Sequence, residues 1–165
     1  MTNNIALQRR IRFLLTFFIF ALIVAGVTAV PLRWELALLN RWFGTTSFLS
    51  QALPAIAEWI SRVNENVQNG YGQFPLLAYG TDWLAFGHIV IAVAFIGPLR
   101  DPIKNIWVIE FGIIACILIV PWALIFGNQR NIPLFWTLID ISFGIFGIIP
   151  LWFARRDTLL LSGKL

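Results

Sequence analysis

A chain of 165 residues has the length of one ordinary soluble domain, but 59% apolar residues, 12% charged residues and a mean hydropathy of +0.80 exclude such a domain and point to lipid as the solvent. The net charge of +4 and pI near 10.0 do not indicate a nucleic-acid partner, because no basic cluster interleaved with aromatic residues occurs along the chain. The single cysteine, Cys116, excludes intramolecular disulfides, cysteine-rich zinc sites, iron–sulfur ligation and paired-cysteine redox chemistry within one chain.

The expected architecture is an all-α integral membrane protein: a bundle of four transmembrane helices with an amphipathic interfacial helical segment between the first two. Spans are predicted at about 13–30, 82–97, 106–126 and 133–153, with the outer segment at about 31–80, all in one polytopic domain covering 1–165. The bilayer core asks for about 20 apolar residues per helix. Three of the runs meet that length and the second falls slightly short.

Arg9, Arg10 and Arg12 precede the first run. This basic start, with Val27-Thr28-Ala29 as a cleavage site, admits a secretory-signal reading. The apolar stretch of about eighteen residues exceeds the usual signal core, so the run is read as a retained span, with cleavage as the alternative.

Downstream, Leu32 to Phe43 carries Trp34, Trp42 and Phe43, the composition of an interfacial helix. Leu49, Ala52, Leu53, Ile56, Ile60, Val63 and Val67 then recur at helical spacing. Pro54 sets the expected start of that amphipathic helix. Asn64 to Gly72 is polar and glycine-bearing and is read as a loop leading back to the membrane, either a lid over an outward-facing cavity or a connector on the headgroups.

Ionisable side chains inside spans are costly to bury and are therefore the candidate site residues. Asp82, at the expected opening of the second span, is read first as a cap on free backbone N–H groups. His88 and Asp140 are each predicted roughly 10 Å below the outer surface. At matching depth they could meet, giving a proton relay or a polar floor to a ligand cavity. The alternative is a structural interhelical hydrogen bond from His88 or Asp140 to a serine, threonine or backbone carbonyl. Asp140 also shares a face with Gly144 and Gly147, small residues that permit either close helix packing or space for a ligand. Glu110 enters the third span near the inner interface, where Arg100, Lys104 or Arg155 could pair with it by snorkelling. Cys116 reads as a packing residue.

Gly97 to Pro102 and Gly127 to Pro133 are proline-bearing turns that make the last three spans a compact series of hairpins. Of the twelve Lys and Arg, eight (Arg9, Arg10, Arg12, Arg100, Lys104, Arg155, Arg156 and Lys164) fall on one side. The positive-inside rule places both termini in the cytoplasm, and Trp107 and Trp152 at the inner ends and Trp83, Trp122 and Trp136 near the outer ends agree with it. The expected location is a plasma membrane, bacterial inner membrane by preference.

No Walker-type loop, nucleophile elbow or zincin motif is present, and one histidine cannot supply two axial haem ligands. No cofactor and no metal site are predicted, and no catalytic residue is assigned. The first functional expectation is binding of an apolar ligand, such as a lipid, isoprenoid or quinone, in a cavity whose polar groups are His88, Asp140, Asp82 and Glu110. The second is a non-catalytic accessory or assembly subunit that docks on another membrane protein or on a second copy. Proton or small-ion transport ranks last, because the ionisable groups form no continuous path. In layout alone, with four spans, inner termini and an amphipathic outer connection, the chain resembles the sterol-isomerase and sigma-2-receptor-like membrane family. No stretch matches that family's motif, so the resemblance assigns no residue a role.

Overall fold

The computed structural model describes residues 2–164, with side chains over 4–164. Among the described residues there is no strand. The helices are α1 (Thr2–Ala29), α2 (Leu32–Phe43), α3 (Pro54–Gln73), α4 (Leu76–Ala94), α5 (Ile96–Arg100), α6 (Ile106–Gln129) and α7 (Leu134–Leu161), with a single 3-10 turn at Phe48–Gln51. Asn4–Ala29, Leu76–Arg100, Ile106–Gln129 and Leu134–Leu161 are each long and apolar enough to cross a membrane. The shortest has 24 residues, which at 1.5 Å per residue is about 36 Å, against a hydrocarbon core of about 30 Å.

The chain divides into two compact units. One comprises α1 up to Leu22 together with the chain from Val90 onward. Its core is Ile11, Leu15, Phe18, Phe95, Ile109, Cys116, Leu151 and Ala154, with the Phe18 and Phe95 rings 4.8 Å apart. The helices approach closely because small residues line the seam. A Cβ on Gly112 would fall 2.6 Å from the Phe95 ring, and one on Gly144 would fall 2.6 Å from the Cys116 carbonyl oxygen. Of the two uses open to the Gly144 face, close helix packing is therefore the one adopted.

Two turns fix this unit's hairpins. At Ala94 the helix breaks and the short α5 follows, containing the buried Pro98. Asn105 then donates its amide to the Gly97 and Asp101 carbonyls at 3.2 and 2.9 Å, closing the connection into α6. At the other end of α6, Asn131 adopts a left-handed φ of 54°. The Ile132 amide returns to the Gly127 carbonyl at 2.9 Å and the Asn131 amide to Asn128 at 3.2 Å. This is a Schellman ending with asparagine in place of the usual glycine, and Pro133 prevents the helix from resuming at once.

The second unit, Ile23–Ile89, contains the end of α1, most of α4 and the α2–α3 hairpin. Leu36, Ala57 and Ile60 are its buried apolar contacts in the hairpin. The pairing of α2 with α3 is held by polar side chains. Gln68 accepts from Arg33 Nε at 3.0 Å and donates to the Arg33 carbonyl at 2.8 Å. One turn from the α2 end, Ser61 donates to Asn40 Oδ1 at 2.7 Å and accepts from the Thr45 amide at 3.0 Å.

The structure corrects three boundaries. Gly97 to Arg100, expected as part of a turn, is helical within α5, and the connection into α6 is confined to 101–105. Asn64 to Gly72, expected as a loop, is helical through Gln73, because Asn64 and Gln68 bond to each other and Gln68 grips Arg33. These contacts offset the roughly 1 kcal/mol that each glycine costs inside a helix. The helix ends only before Pro75, where the preceding residue is driven out of the α region. The second span helix begins at Leu76 rather than 82.

Candidate functional site

Asp140 is the candidate that the structure places against free volume. An open groove of about 520 Å³ runs along the α6–α7 seam. Its walls include Leu118, Ile119, Trp122 and Phe126 from α6, with Ile132 from the turn and Asp140 from α7. Asp140 is the sole charged residue among those lining it. The carboxylate is half-buried and, among the described residues, has no hydrogen-bond or ion-pair partner. The Trp122 and Phe126 ring centres lie 4.5 Å apart with the planes tilted by 48°, and Arg130 lies over the Phe126 ring, 6.0 Å from its centre. The helical register explains the geometry. Gly127 yields to Thr137 and Gly144 to Cys116, so the helices touch above and below while Asp140 stands at the open flank.

Glu110 is paired. Arg155 Nε donates to its Oε1 at 2.8 Å, and both side chains are about one-third exposed, so the partner is one of the three arginine and lysine candidates the sequence offered. Asp82 is not a helix cap. It lies in the second turn of α4 and is exposed, and the first-turn amides of Leu77, Ala78 and Tyr79 bond instead to the Phe74 and Pro75 carbonyls. Its neighbour Thr81 donates to the Ala78 carbonyl at 2.7 Å and receives the Tyr71 hydroxyl at 3.3 Å.

His88 belongs to the second unit. Its Nδ1 lies 2.8 Å from the Leu84 carbonyl, an acceptor only, so Nδ1 carries the proton of this bond and Nε2 is left for another partner. The residue stands where α1 and α4 approach, since a Cβ on Gly26 would fall 3.0 Å from the His88 Cβ and 2.9 Å from the Ala85 carbonyl oxygen. This hydrogen bond runs back to its own helix, whereas the structural alternative in the sequence reading was a bond to a neighbouring helix. The groove that Asp140 lines is drawn from α6, α7 and the turn between them.

One ionisable residue escaped the sequence reading. Asp157 has no solvent exposure, and both its oxygens are held by the Arg10 guanidinium. A signal existed: the stripe of Pro150, Leu151, Ala154, Thr158 and Leu161 continues at helical spacing beyond Arg155 and Arg156 and passes through Asp157. Treating the arginines as the end of the span hid it.

Among the described residues, no three His, Cys, Asp or Glu side chains are grouped to hold a metal ion. Comparison with protein-family models, curated proteins and solved structures finds no match to this chain.

Proposed function

We propose that the chain is a multi-pass membrane protein, with both termini cytoplasmic, that binds an apolar ligand carrying one polar group in the α6–α7 groove. Burial supports the membrane reading: only 17–28% of each candidate span is covered by protein, and Phe13, Trp83, Leu118, Trp122 and Phe146 are all more than half exposed. Water would penalise that surface at about 25 cal/mol per Å², whereas lipid does not. On α2 the exposed Trp34, Leu38 and Trp42 follow one another at four-residue spacing, which supports an interfacial placement for the outer segment. The basic residues that the sequence places on one side favour that side as cytoplasmic, and the short loops and the absence of organelle-targeting composition favour a plasma membrane, bacterial inner membrane by preference.

The single observation that carries the ligand reading is Asp140, a carboxylate without a protein partner on an otherwise apolar groove. Burying such a group unsatisfied is unfavourable, and a donor head, such as a hydroxyl, an amine or the O–H of a quinol, would satisfy it while its hydrocarbon lies along Trp122 and Phe126. A lipid with a hydroxyl or amine head, an isoprenoid alcohol and a quinone in its quinol form all have this chemistry. The reading is one of binding, with no reaction assigned and no cofactor invoked.

The groove is open along its length, which favours one second reading, an accessory subunit that seats an apolar helix of a partner there. Mass spectrometry of the protein purified in mild detergent separates the two. A stoichiometric small molecule present in the wild type and lost in Asp140→Ala supports the ligand; a co-purifying membrane protein lost in Trp122→Ala supports the subunit. Bulk lipid alone, equal in wild type and both variants, overturns both.

A further inference from the structure

A second pocket lies on α7. Trp152, Arg155, Arg156 and Leu159 share one face of the helix and border a half-open hollow of about 260 Å³. A guanidinium has five N–H donors, and neither arginine uses them all. Arg155 gives Nε to Glu110. Arg156 lies 5.1 Å over the Phe153 ring and reaches Asp157 at only 3.5 Å, the Asp157 oxygens being already occupied by Arg10. Two cations with donors to spare thus flank a pocket whose other walls are an indole and a leucine.

The surroundings leave the positive charge unbalanced. The nearby acids are taken: Glu110 by Arg155, Asp157 by Arg10, and Asp101 by Lys104. Arg9, Arg12, Arg100 and Lys164 have no acidic partner among the described residues. Paired guanidinium forks match phosphate oxygens bidentately, and tryptophan settles at headgroup level.

We propose that this pocket binds the headgroup of an anionic phospholipid, with the phosphate across Arg155 and Arg156 and the first acyl segment against Trp152 and Leu159. The proposal rests on the membrane reading above. Its test is lipid retention by the full chain, purified from mixed micelles holding equal phosphatidylglycerol and phosphatidylcholine and read by native mass spectrometry.

The wild type is expected to retain phosphatidylglycerol about fivefold over phosphatidylcholine, the preference that one basic side chain near a lipid surface supplies. R156Q should bring the ratio below about twofold, while R130Q, at the far end of α6, leaves it unchanged. R156K, which keeps the charge and loses the planar fork, should give an intermediate ratio and carries the test if R156Q does not assemble. Equal retention of the two lipids by the wild type, equal losses in R156Q and R130Q, or displacement of the lipid by inorganic phosphate each overturns the proposal. An alkaline carbonate wash keeps the two readings apart: a chain released from the membrane fraction sinks the membrane reading, whereas a chain that stays but shows no lipid preference sinks only this site.

Discussion

The Arg10 guanidinium closes on both carboxylate oxygens of Asp157, joining the first helix to the last across 147 residues of sequence. Asp157 is fully buried while the Arg10 side chain is half exposed, so the ion pair is asymmetric: the acid depends on the base more than the reverse. Thr158, equally buried, satisfies its own hydroxyl by donating it to the Ala154 carbonyl at 2.7 Å.

Removing the carboxylate with Asp157→Ala should cost about 2–3 kcal/mol. Arg10→Gln leaves a buried carboxylate with only Arg156 at 3.5 Å and should lower the melting temperature by more than Arg9→Gln does. Melting curves in detergent decide the matter. Equal effects of the two arginine variants would show that the Arg10 contact has no weight of its own.

Gly144→Ala should destabilise by about 1–3 kcal/mol, because the added Cβ meets the Cys116 carbonyl of a neighbouring helix and backbone yields little. Gly87 faces open space, so Gly87→Ala should be neutral or stabilising by up to about 1 kcal/mol. Unfolding of the two variants in a graded denaturing detergent compares them directly, and opposite signs are expected.

Ser61→Ala removes the hydroxyl that links Asn40, Thr45 and α3 and should cost about 1–2 kcal/mol. The loss should be local. Hydrogen exchange is expected to quicken over 33–45 and 57–68 while α6 and α7 keep their protection; uniform quickening would argue against a locally stapled hairpin.

Topology is open to labelling in a Cys116→Ser background. A membrane-impermeant maleimide should reach Gln129→Cys in intact spheroplasts and Lys104→Cys only after permeabilisation. The reverse pattern would invert the assignment of the termini. Native Cys116, buried beside Gly147, should react only on unfolding.

The sequence by itself determined the four long apolar helices, the turn between the last two, the α2 boundaries and the start of α3 at Pro54. These follow from composition and from backbone chemistry that acts over a few residues. Proline fixes φ, apolar runs persist for the length of a bilayer, and helical spacing shows wherever one face is buried. Asp140 and Glu110 were legible as polar groups in apolar runs, and Arg155 stood among the partners offered to Glu110.

Tertiary structure decided what depends on helix rotation and on contacts distant in sequence. Whether Gly144 packs or leaves space is set by where the α6 backbone runs. The Arg10–Asp157 pair lies beyond any local pattern. Gln68 keeps 64–72 helical only because Arg33 of another helix is there to receive it. A span that is apolar all round carries no periodic signal saying which face meets protein and which meets lipid, so the groove beside Asp140 could be located only once α6 and α7 were docked.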